Sequence, residues 1–146
     1  MFNKISFMEA FVEKRIPAKL SNAFFAVSLG LLPPSEVTSL FGTSCDNARQ
    51  MFARLAERQG LDQGGITLND VKFEVLLTLF EYTNFPGHKS WMQAGRMVRS
   101  ALAMGLNRID SGARISHFTE FELEEHRFVW WSGAKFQINS ANPLGL

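Results

Sequence analysis

The chain has 146 residues, of which 46% are hydrophobic and 20% charged, and its net charge is +1. That length is one ordinary domain, with enough chain to bury about 68–70% of the surface exposed on unfolding. Residues 1–60 carry seven basic and five acidic groups and the remainder eight and nine, so no basic excess points to a phosphate backbone as partner.

Fourteen Phe and three Trp supply large core side chains, each Phe worth about 1.5–3 kcal/mol when buried. The only cysteine, Cys45, can form no internal disulfide and no cysteine-based zinc cluster. Polar or Gly residues interrupt the longest apolar stretches, near Ala23–Val27 and Ser28–Leu32, so a membrane span of about 20 apolar residues is absent. Glu9 and Glu13 break residues 1–30, which lack a secretory signal pattern. The expectation is a soluble, intracellular chain.

In chain order, Phe7, Met8, Phe11 and Val12 suit one helix face. Pro17 opens a second helix in which Leu20, Phe24, Val27 and Leu31 recur at helical spacing, until Pro33-Pro34 ends it. Ser35 to Phe41 reads as a short turn of helix, broken by Gly42. Thr43 or Ser44 then caps a helix through Gln59, striped by Ala48, Met51, Phe52, Leu55 and Ala56 and stopped by Gly60. After a Gly-rich loop, Thr67 and Asp70 have capping-box spacing. They start a central helix carrying Val71, Val75, Leu76, Leu79 and Phe80, widened by Phe73, Leu77 and Tyr82.

Pro86-Gly87 turns into Ser90–Arg108, where Trp91, Ala94, Val98, Leu102 and Leu106 trace one face and Gly105 marks the stop. Asn107 to Ser116 is a polar connector. Thr119 and Glu122 repeat the capping-box spacing, and Glu120, Glu122, Glu124 and Glu125 crowd the first turns, where the helix dipole favours carboxylates. Phe121, Phe128, Val129, Trp130, Trp131 and Phe136 follow as apolar contacts. No convincing β-alternation occurs. The expected fold is a single all-α domain over residues 1–146, with five to six helices in an irregular antiparallel array.

Catalytic signals are absent. His88, His117 and His126 match no metal-ligand spacing and read as two loop histidines and one helical one. Gly42-Thr43-Ser44-Cys45-Asp46 lacks the second glycine of a nucleophile elbow, and no Gly-rich phosphate loop occurs. Cys45 reads as a partly buried thiol. Met92, Met97 and Met104 read as core filling rather than a pocket lining. Arg96, Arg99, Arg108, Arg114 and Arg127 are candidate ion-pair partners for the glutamate cluster.

The central stretch LLTLFEYTNFPGHKSWMQAGRMVRSALAMGLNR, followed by ELEEHRFVWWS, resembles the fungal-specific transcription factor domain, the middle homology region of fungal zinc-cluster transcription factors. Leu76, Leu77, Leu79, Tyr82, Trp91, Gly95, Arg96, Met97, Val98, Arg99, Ala101, Met104, Gly105, Leu106 and Arg108 carry the first block, and Glu122, Glu125, Arg127, Trp130 and Trp131 the second. The strong match covers residues 70–132, and PAKLSNAFFAVSLGLL resembles the family's first core helix more loosely.

The resemblance implies the N-terminal portion of a larger helical regulatory domain, acting in the nucleus. It implies contacts with other domains of the same factor, partner proteins or a second copy, a small-molecule inducer, and DNA only indirectly. Zinc is implied only in a separate six-cysteine domain. Trp91, Gly95, Arg99, Gly105, Leu106, Arg127, Trp130 and Trp131 are expected to be scaffold residues, and the Trp130-Trp131 helix to leave apolar surface exposed. The alternative is a free-standing helical protein–protein interaction module or a truncated relative without transcriptional activity.

Overall fold

Proline, glycine and small polar caps set the helix boundaries. The computed structural model describes residues 4–58, 64–111 and 117–141, and among them it has seven α-helices and no strand, as an all-α reading requires. α1 spans Lys4–Val12 and α2 spans Ala18–Ser28. Pro17 precedes α2 with φ −56°, a value already suited to helix entry. A 3-10 turn at Leu29–Leu31 ends this segment ahead of the two prolines. Pro34 then serves as the first residue of α3, Pro34–Phe41, so the expected short turn is a helix in its own right.

α4 runs over Cys45–Arg58, and the Ser44 hydroxyl accepts the Asn47 amide at 3.3 Å, making Ser44 its cap. α5, Leu68–Asn84, has the full capping box: the Asp70 amide donates to the Thr67 hydroxyl at 3.3 Å, and the Thr67 amide donates to the Asp70 carboxylate at 2.7 Å. α6 spans His88–Ala103, so His88 belongs to a helix and not to a loop. The Gly87 amide donates to the Ser90 hydroxyl at 3.1 Å, and that hydroxyl donates to the Gly87 carbonyl at 2.9 Å.

Gly105, at φ 72°, ends the α6 segment in the left-handed region that a side chain disfavours, and Leu106–Arg108 form a 3-10 turn. The helix therefore stops short of Arg108. α7, Glu120–Ala141, is the longest helix and starts on the second capping box: the Thr119 amide donates to Glu122 at 2.8 Å and the Glu122 amide to the Thr119 hydroxyl at 3.2 Å. The expected end of α4 at Gln59-Gly60, most of the loop after it, and Gly112 to Ser116 of the polar connector lie outside the described residues.

α5 is shared by two cores. Leu20 and Ala23 of α2, Ala56 of α4, and Phe73, Leu76 and Leu77 of α5 form the first. Val71 and Val75 of α5, Met97 and Ala101 of α6, Leu106, and Val129 of α7 form the second. A smaller cluster of Leu29, Val37 and Ala48 seats α3. Ring contacts bind the N-terminal helices: Phe7 on Phe24 at 4.6 Å, Phe25 on Phe52 at 5.3 Å, and Phe41 on Phe52 at 5.6 Å. These tilted and edge-on geometries are the ones aromatic pairs favour.

Candidate functional site

Because α5 has neighbours on opposite sides, its charged residues cannot all reach water. Asp70, Lys72, Glu74 and Glu81 are buried, and each meets a different part of the surroundings. Asp70 pairs with Lys19 of α2, itself buried. Lys72 pairs with Glu125 of α7. Glu74 accepts from the Gln93 amide of α6 and lies 3.6 Å from the Arg96 guanidinium. Glu81 pairs at 2.7 Å with Lys89, near the start of α6. These four latches hold α2, α6 and α7 in register on α5. A buried pair that loses one member leaves an uncompensated charge, so each latch opposes slippage strongly even where its net contribution is small.

The carboxyls respond differently to this setting. Burial alone would raise the Asp70 pKa, but the Lys19 ammonium together with the Thr67 amide and hydroxyl holds it below the ordinary aspartate value. Burial dominates at Glu74 and pushes its pKa up, despite the Arg96 charge and the Gln93 donor. Glu81 is only half satisfied: its Oε2 is buried without a hydrogen-bond partner among the described residues. Its bonded oxygen raises the Lys89 pKa. The chain's sequence does carry a signal for this network. Apolar residues occupy every side of α5, so the charges between them have to find partners inside.

The residues singled out by the family resemblance divide into inward and outward groups. Leu106 and Gly105 are buried at the end of α6, and Trp130 packs against the second core. Gly95 leaves room for Arg99, whose Nη1 would lie 3.3 Å from any added Cβ. Arg127 binds Asp110 at 2.8 Å, Glu124 at 2.8 Å and Glu120 at 3.3 Å, tying α7 to the turn after α6. These partners raise its pKa, Asp110 foremost. Among the candidate arginines, Arg127 meets the glutamate cluster, whereas Arg96 turns to Glu74.

Trp91, Arg99 and Trp131 depart from the scaffold expectation by facing outward. Trp131 is 62% exposed and Trp91 46% exposed. The reason at the tandem Trp is geometric. Successive helical residues are about 100° apart, so only one of the two can face the core. Gly133, which the sequence reading passed over, matters more for packing than Trp131. An added Cβ there would approach Met97 to 3.3 Å, so its absence lets α6 and α7 close together.

Met97 is fully buried and Met104 packs beside it, as core filling requires, but Met92 is exposed. His126 is buried against Phe118, with Nδ1 2.6 Å from the Glu122 carbonyl. Cys45 is half-buried and its thiol donates to the Leu29 carbonyl at 3.4 Å. Among the described residues no three His, Cys, Asp or Glu side chains converge as metal ligands. With one cysteine, the chain's residues do not fit the zinc that the resemblance implies elsewhere. A cavity of about 190 Å³ opens between α1, α2 and α5, walled by Phe7, Ile16 and Leu20. Its charged rim, Arg15 and Lys72, is engaged by Glu13 and Glu125. No described helix is long and apolar enough to cross a membrane.

Compared with family models, characterised proteins and solved structures, the chain has no match.

Proposed function

We propose that this chain is a regulatory, non-DNA-contacting helical domain of a fungal zinc-cluster transcription factor, acting in the nucleus in regulation of DNA-templated transcription. The observation that carries the reading is the pair of motif blocks within residues 70–132. Their residues lie on α5, α6 with the turn that follows it, and α7, which pack on one another around Val71, Met97, Leu106 and Val129. On this reading the domain works through contacts with other domains of the factor, partner proteins or a small inducer, and reaches DNA through a six-cysteine domain elsewhere.

The test is a reporter assay with the chain tethered to DNA through an unrelated DNA-binding domain. The expected result is a change in reporter output, lost when Leu106→Asp unfolds the second core. Output equal to that of the tether alone, with the fusion folded and nuclear, overturns the reading. The second reading, a free-standing helical interaction module, draws on the exposed Trp91, Phe121, Phe128 and Trp131. It predicts partner binding with no effect on the reporter.

A further inference from the structure

The four latches on α5 differ in which partner meets water. Lys19 and Lys72 are enclosed with their carboxylates, their side chains 6% and 9% exposed. The Arg96 guanidinium reaches solvent, but it stays protonated and is no nucleophile. Among the four, only Lys89 joins an accessible amine to a buried partner: its side chain is 67% exposed and that of Glu81 only 4%. The Glu81 Oε2 has no hydrogen-bond partner among the described residues. Within them, the 2.7 Å contact from Lys89 Nζ to Oε1 is therefore what neutralises this carboxylate.

We propose that Lys89 is an acylation site whose modification releases the start of α6 from α5. The co-reactant is an activated acyl donor, an acyl phosphate or an acyl thioester. The ammonium first leaves Glu81 and gives one proton to water. The free Nζ then attacks the acyl carbonyl and an N–C bond forms. The C–O or C–S bond breaks, and phosphate or thiolate departs with the second amine proton. The amide left at Nζ is neutral, so Glu81 stays buried without a counter-ion, the condition that makes a broken buried pair costly.

The position of Lys89 gives the effect a sign of its own. It is the second residue of α6, where the positive end of the helix disfavours a cation. Removing that charge would favour the helix if Glu81 played no part, so a loss of stability on acylation must come through Glu81. Glu57 of α4 also favours the Lys89 ammonium, but it is exposed and water can solvate it once the charge is gone. The inference stands apart from the transcriptional reading, since it rests on the α5–α6 contact, and either can fail without the other.

Treating the full chain with acetyl phosphate tests access, with peptide mass spectrometry following Lys89 and the exposed Lys135 together. Lys89 should become acetylated. Glu81→Gln should speed this relative to Lys135 by about threefold or more, because the amine is no longer held as the ammonium. An unmodified Lys89 where Lys135 reacts overturns the proposal, as does a ratio that Glu81→Gln leaves unchanged. Urea denaturation of the chain made with acetyllysine at position 89 tests the consequence. Its unfolding constant should rise by about tenfold or more, with faster hydrogen exchange in the first turn of α6, where the Trp91 amide donates to the Gly87 carbonyl. In the Glu81→Gln background acetylation should change the unfolding constant by less than about twofold. Should the acetylated chain fail to fold, Glu81→Gln should restore folding. Equal stability with and without the acetyl group, or a loss that persists in the Glu81→Gln background, overturns the proposal.

Discussion

α5 and α7 invert the usual distribution of side chains in opposite senses. α5 keeps four charged residues inside, and α7 keeps Phe121, Phe128 and Trp131 outside. The difference follows from the number of neighbours. α5 contacts α2, α6 and α7, so a charge anywhere on it meets another helix, and each has found a group to pair with or accept from. α7 contacts α5, α6 and the Leu106–Arg108 turn, leaving a stripe that nothing among the described residues covers. Residue type alone therefore says little about which side faces the core here. What decides is whether the surrounding helices supply a partner.

Breaking a latch on α5 should have the largest effect. Lys19→Met leaves Asp70 as a buried carboxylate without its counter-ion, which should cost about 3–5 kcal/mol, read by urea denaturation. Asp70 would keep the Thr67 amide and hydroxyl as donors, at 2.7 Å each, so the helix cap should survive. A loss below about 1 kcal/mol would mean that water reaches Asp70 freely, and the contrast between α5 and α7 would lose its basis.

The tandem tryptophans sharpen the comparison within a single helix. Trp130→Ala removes a side chain packed against the second core, and should cost about 3 kcal/mol. Trp131→Ala, measured at concentrations where the chain is monomeric, should stay within about 0.5 kcal/mol. Equal losses at the two positions would show that Trp131 is packed in solution.

The helical architecture was open to sequence reasoning because its signals are local. Both capping boxes, the Pro33-Pro34 break and the Gly105 stop follow from backbone chemistry within a few residues, and each stands where the spacing put it. The α6 stripe was legible only in part: Ala94 and Leu106 are buried, but Trp91 and Leu102 are exposed and the fully buried Met97 lay off it. The partners in the latches were not legible, because Lys19–Asp70 and Lys72–Glu125 join residues 51 and 53 apart, which no helical period reveals. Nor could Trp130-Trp131 be divided into an inner and an outer ring before the neighbours of α7 were known. Gly133 escaped for the same reason: its meaning lies in Met97 on another helix.

The effect expected at Glu74 has a sign that separates two accounts of that residue. Burial raises its pKa, so the folded chain holds the proton more tightly than the unfolded chain does. The stability this confers is fully present below the unfolded glutamate value of about 4.3 and is lost as pH rises through the elevated folded value. Above that folded value the carboxylate is charged in a setting that favours the neutral acid. Glu74→Gln keeps an acceptor for the Gln93 amide and removes the charge, while Arg96, which is largely exposed, can turn to water. The variant should gain about 1 kcal/mol once pH is above the Glu74 titration, and the gain should shrink as pH falls through it. Asp70 moves the other way: its depressed pKa confers stability that is lost only as pH falls further, through its lowered folded value, so the difference between the two proteins isolates Glu74. Paired melts at several pH values measure this difference. If Glu74→Gln is less stable at pH 7, the Arg96 charge outweighs burial, and the α5–α6 contact is an ion pair in function as well as in geometry.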